Sequence, residues 1–72
     1  MMKQVVANMA GTVINVLVNT GDSVQPGSDV VMLESMKMEV PVTAEAAGIV
    51  AQVKVTIGDF VNEGDVLIEI ED

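Results

Sequence analysis

The sequence is written twice. Laying residues 5–34 on residues 42–71, an offset of 37, aligns 30 pairs without a gap, and twelve of them are identical. They include Val5/Val42, Ala7/Ala44, Gly11/Gly48, Val13/Val50, Gly21/Gly58, Asp22/Asp59, Gly27/Gly64 and Glu34/Glu71. Fifteen valines in 72 residues bring some chance matches. Glycines recurring at three places, one of them followed by a recurring aspartate, do not arise that way. Two copies of one unit, 5–34 and 42–71, predict one small domain over 1–72.

Each unit reads as β. In the second copy Ile49, Ala51, Val53 and Val55 alternate with Val50, Gln52, Lys54 and Thr56, a period of two whose first set is expected to face the core. The first copy keeps that phase, with Thr12, Ile14, Val16 and Val18 inward. Val13, Asn15, Leu17 and Asn19 then point out, leaving Leu17 as an exposed apolar residue. Val66, Ile68 and Ile70 alternate with Leu67, Glu69 and Glu71 in the same manner. Ala44 to Ala47 are good helix formers, but Gly48 follows at once and four residues cannot sustain a helix.

Turn chemistry falls at matching places, Thr20-Gly21-Asp22 with Ile57-Gly58-Asp59 and Gln25-Pro26-Gly27-Ser28 with Asn62-Glu63-Gly64-Asp65. About four short strands per unit result. One unit alone could not bury its apolar face, so the two are expected to pack as an all-β sandwich or flattened barrel about a pseudo-twofold axis. That symmetry puts the segment joining the copies at the opposite end from the termini.

Composition removes most chemistries. The chain has no Cys, His, Trp or Tyr, which excludes disulfides, thiolate nucleophiles, imidazole bases and Cys/His metal sites. Eleven acids against three lysines give a formal charge of −8, so nucleic acid and anionic membrane surfaces are poor partners. No apolar run approaches the roughly 18 residues of a membrane span, and no secretory leader pattern follows Lys3. A soluble, cytoplasmic, non-catalytic chain is the expectation.

The joining segment is Glu34-Ser35-Met36-Lys37-Met38-Glu39, and it contains no Gly, Pro, Asn or Asp. A two-residue hairpin there forces ordinary residues to positive φ at about 1 kcal/mol or more each. Turn propensity did not select these residues. Lys37 alone of the three lysines sits at a tip; Lys3 lies near a terminus expected to fray and Lys54 on an outward strand face. A solvated turn in which Lys37 pairs weakly with Glu34 and Glu39 is the plain alternative.

Glu34-Ser35-Met36-Lys37-Met38 resembles the Glu-x-Met-Lys-Met signature of the biotinyl/lipoyl carrier family, and the resemblance covers nearly the whole chain. Gly11 with Thr12-Val13 after Met9, Gly21-Asp22, Gly48 with Val50, and Gly58-Asp59 through Gly64-Asp65 fall in the family's register. The resemblance implies a flattened barrel of two four-stranded antiparallel sheets, with biotin amide-linked to Lys37 and Met36, Met38 and Glu34 read by a biotin protein ligase. It implies a carrier that shuttles carboxylate between a biotin carboxylase and a carboxyltransferase, on an arm of roughly 12 to 14 Å when extended. The short length is similar to that of a stand-alone attachment protein. Many members have Pro where Ala10 stands here, and nothing in the first copy matches the inserted thumb of some carriers.

Two other readings stay open from the residues. Lipoate on Lys37 would make the chain a carrier for a 2-oxoacid dehydrogenase complex, although lipoyl domains commonly have Ala after the lysine and this chain has Met38. An unmodified adaptor would use the face of Val13 and Leu17 as its contact.

Overall fold

Each copy of the repeat supplies four strands in the computed structural model, which describes residues 1–72. The first copy gives β1 (Met2–Val6), β2 (Gly11–Val16), β3 (Ser23–Val24) and β4 (Asp29–Ser35). The second gives β5 (Met38–Thr43), β6 (Gly48–Val53), β7 (Phe60–Val61) and β8 (Val66–Glu71). They form two four-stranded sheets, ordered β1-β8-β6-β3 and β5-β4-β2-β7, with every pairing antiparallel. The offset of 37 carries one sheet onto the other, so the expected all-β, two-sheet architecture and its pseudo-twofold axis are both present. Residues 44–47 form a bend and no helix.

The copies do not pack as two separate units, however. Each sheet takes two strands from each copy, because a four-strand unit closed on itself would keep its apolar face wet. Exchange lets both copies share one core. That core is Val5, Ala7, Val13, Val18, Val24, Val30, Val31, Leu33, Val42, Ala44, Val50, Val61, Leu67, Ile68 and Ile70, with no buried polar side chain among them.

The alternation read from sequence has the wrong phase at the starts of β2 and β6. Val13 and Val50 are buried, whereas Ile49 and Ala51 are exposed. The cause is a β-bulge in each strand. Val13 pairs with Leu33 and Asn15 with Met32; Val50 pairs with Ile70 and Gln52 with Glu69. Ile14 and Ala51 are thus extra residues, and each inverts the pleat beyond it. After the bulges Val16, Val18, Val53 and Val55 turn toward the core as expected. A second pair of bulges falls at Val30 and Leu67, so Val30 and Val31 are buried side by side, as are Leu67 and Ile68. The period of two puts Leu67 on the outer face, and the bulge turns it inward.

Four turns of one construction separate these strands. In each, the first residue's N–H donates to a side-chain oxygen three residues on: Asn19 to Asp22 Oδ2 at 2.8 Å, Gln25 to Ser28 Oγ at 3.0 Å, Thr56 to Asp59 Oδ2 at 2.9 Å and Asn62 to Asp65 Oδ2 at 2.8 Å. The third residue is a glycine at positive φ. The intervening loops 17–22 and 54–59 have equal length, so no thumb projects from the first copy.

Gly11 and Gly48 are needed for close approach instead. A Cβ on Gly11 would lie 2.8 Å from the Glu34 carbonyl oxygen, and one on Gly48 would lie 2.7 Å from the Glu71 carbonyl oxygen and overlap the Ile70 side chain. Gly48→Ala should therefore destabilise the fold by about 1–3 kcal/mol. A chemical-denaturation midpoint lowered without a change in slope is the expected readout.

The terminus expected to fray is tied down. Lys3 lies in β1 opposite Ile70, with its Nζ 3.1 Å from Asp72 Oδ2; the Met1 amino group lies 3.3 Å from Asp72 Oδ1. Hydrogen bonding to Lys3, and then to the amino terminus, holds the Asp72 carboxyl below its ordinary value. By the repeat offset, this ribbon is the counterpart of the β4–β5 hairpin. The two ribbons meet at their bases, where Val5, Val6, Val42 and Thr43 line one depression. The body measures 34 × 19 × 18 Å.

Candidate functional site

The β4–β5 hairpin closes in two residues. Ser35 pairs with Met38, and Met36 and Lys37 between them have φ of 52° and 66°. Positive φ at both central positions is the type I′ arrangement, whose hand matches the twist of the flanking strands. These are the only non-glycine residues of the chain at positive φ. Each costs about 1–3 kcal/mol, and that strain is retained at the place the sequence marked out. Asparagine tolerates this conformation, so Met36→Asn should raise stability by about 1 kcal/mol, or roughly 4–8 °C in Tm for a domain of this size. Differential scanning calorimetry checks it.

The turn presents Lys37 to solvent. Lys3 is paired with Asp72, and Lys54 lies just past β6 with its Nζ 4.0 Å from Glu69 Oε2. Lys37 makes no ion pair, although Glu34 and Glu39 sit close by in sequence. The weakly paired turn is thus not what the structure adopts. Met36 is 91% exposed and Met38 65% exposed, so neither packs against the neighbouring strand ends. A primary amine and two thioethers stand clear of the body.

Beneath the tip, Glu34 on β4 lies directly opposite Glu39 on β5, both exposed. Like charges opposite one another across strands repel. Thr12 on β2 lies beside Glu34, and Phe60 on β7 lies beside Thr12. Phe60, the one aromatic residue of the chain, is 67% exposed. Sequence reasoning passed over Phe60 and the Glu34/Glu39 opposition. One signal for Phe60 was present, because the first copy has Ser23 at that position. The proposed adaptor face is not formed: Val13 is fully buried, and Leu17 is half-exposed without it.

Neither surface depression includes any of residues 34–39. One is lined by Val5 and Val42 and the other by Val16, Val18, Val53 and Val55, and both straddle the repeat axis. Lys37 is outside any cleft.

Two sheets around one small core carry a strained and exposed turn that offers an amine. The family described as biotin-requiring enzyme, the biotin/lipoyl family, matches residues 3–70. The chain belongs to that family. It is 52% identical over 62 residues to a biotin/lipoyl attachment protein of Bacillus subtilis (strain 168), covering 86% of this chain and 85% of the relative. It is also 48% identical over 67 residues to the alpha3 subunit of a biotin-dependent acyl-coenzyme A carboxylase of Mycobacterium leprae, covering 93% of this chain but 11% of that protein. Its structure superposes on part of Kluyveromyces lactis urea carboxylase with a TM-score of 0.92 at 28% identity, over 99% of this chain and 6% of that one. Like the carrier domains of this family, the chain is a non-catalytic component.

The residues present fit such a group. An amide link needs a primary amine that is unpaired and reachable, and Lys37 meets both conditions.

Proposed function

We propose that this domain is a biotin carboxyl carrier with biotin joined to Lys37 Nζ. The observation that carries the reading is the placement of the one unpaired lysine at the second position of a strained type I′ turn. When bound, biotin supplies a ring nitrogen that takes up and releases carboxylate.

The chain's own residues then have mechanical roles. The hairpin of β4 and β5 holds the Lys37 backbone at its tip, while the side chain beyond it is free to reach into partner clefts. Met36 and Met38 offer adaptable apolar contacts to a biotin protein ligase, and Glu34 offers a charge. Tethering raises the local concentration of the cargo at a biotin carboxylase and a carboxyltransferase in turn. Acylation removes one of the three lysine charges, taking the formal charge from −8 to −9. An acidic body of that kind favours basic surfaces on partners, so biotinylation and carboxylation should slow as ionic strength rises. Rates unchanged between low and high salt would contradict this.

Streptavidin and anti-lipoyl blots of the protein from its native host test the cofactor. Signal with streptavidin alone, lost on Lys37→Arg, is expected. Signal with the anti-lipoyl reagent alone would transfer the chain to 2-oxoacid dehydrogenase chemistry, the reading that methionine on both sides of Lys37 disfavours.

A further inference from the structure

Of the four edge strands, β3 and β7 are two residues long, which leaves β1 and β5 as the edges able to pair with another chain. Along such an edge every second residue turns its N–H and C=O away from the sheet. On β1 the phase is fixed at the strand's start. The Met1 amino group donates to the Asp72 carbonyl oxygen at 3.3 Å, and the Asp72 N–H donates to the Met1 carbonyl oxygen at 3.1 Å. Counting on from that pair, Lys3 and Val5 bond to β8, and Met2, Gln4 and Val6 turn their backbone groups to solvent. On β5 the closing pair of the hairpin, Ser35 and Met38, sets the same phase, so Glu39, Pro41 and Thr43 face out.

The offset of 37 makes Met2, Gln4 and Val6 the counterparts of those three residues. β5 is guarded, because Glu39 brings a charge to the edge and Pro41 has no N–H to offer. β1 carries neither guard. Its outward positions hold Met2, which is 50% exposed, the exposed Gln4, and Val6, which is 42% exposed. The charge it does carry, on Lys3, is drawn across the ribbon to Asp72 and not out over the edge.

We propose that β1 is a self-association edge, at which a second copy of this chain pairs antiparallel about a twofold axis through Gln4. Gln4 then meets its own counterpart, and Met2 of each copy meets Val6 of the other. Each outward N–H gains a carbonyl acceptor, and the exposed apolar side chains cover one another. The two β1-β8-β6-β3 sheets become one continuous sheet. Charge favours a like chain over a basic one, since no acid precedes Asp22 and the edge has no carboxylate to attract a cation. Glu69 lies one strand in, opposite Gln4. Its two copies would stand about 14 Å apart across the joined sheet, beyond the Debye length of about 8–10 Å. Because the Lys37 hairpin belongs to the other sheet, both tips stay free, and the inference is independent of the biotin reading.

Sedimentation equilibrium of the untagged chain, with amide NMR spectra across a concentration series, tests this. A five-residue edge is a small contact, so the dimer should be weak, with a Kd of about 0.1–1 mM in about 0.5 M salt. In about 0.05 M salt it should be several-fold weaker, because two bodies of charge −8 then repel. Concentration-dependent shifts should fall on the amides of Met2, Gln4 and Val6. Gln4→Pro and Met2→Glu each install the residue that β5 carries at the equivalent position, and each should weaken pairing about tenfold or more with melting little changed. Ile57→Thr, in the depression that β1 does not line, should leave the Kd as it was. A chain that stays monomeric to about 2 mM in high salt overturns the proposal. So does a dimer that keeps its affinity in both edge variants, is lost in Ile57→Thr, or tightens as salt falls.

Discussion

Lys37→Arg should leave a folded chain that takes up no cofactor. Arginine keeps the positive charge, the length and the left-handed backbone of the turn, so melting should be unchanged. The guanidinium is not a substrate for amide formation at this site, and the remaining amines, on Lys3 and Lys54, are engaged with Asp72 and Glu69 away from any tight turn. Intact mass after incubation with ligase, biotin and ATP should show no increment. An adaptor that used the tip only for charge would behave as before the substitution, and a persisting increment would place the attachment elsewhere.

Leu33→Ala should do the reverse, keeping the Lys37 amine and removing the fold. Leu33 is fully buried at the centre of β4, between Val13 on β2 and Val40 on β5, one residue from Glu34. Truncating such a side chain costs about 2–5 kcal/mol. A single core in a domain of this size supplies only about 3–5 kcal/mol of net stability, so the variant should be largely unfolded at 37 °C. Circular dichroism against temperature reads this directly. Cooperative melting close to that of the unaltered protein would mean that the core is larger or more adaptable than its fifteen buried residues indicate.

What was legible in the sequence was whatever local chemistry encodes. The four glycine turns, the eight strands and the lysine tip each follow from a residue type at a fixed place, and the repeat gave the symmetry. The bulges were not legible. Ile14, Ala51, Val30 and Leu67 carry no bulge signature, so a period of two read straight through them assigns Val13, Val50 and Leu67 to the wrong face. The exchange of strands between copies was hidden for another reason. Similar sequences pair equally well within or between copies, and only the shared core decides between the two. The ordering of Lys3 is not legible locally because its partner, Asp72, lies at the far end of the chain. The tip was clear in the residues because Met36 and Lys37 are poor choices for a turn; the row beneath it emerged only with the register that brings Phe60 from β7 beside Thr12.

The most direct measurement is the intact mass of the protein purified from its native host, followed by mapping of the modified peptide. A biotinyl increment confined to Lys37 is the expected result. An unmodified chain, from cells in which other biotin and lipoyl carriers are fully loaded, would contradict the carrier assignment.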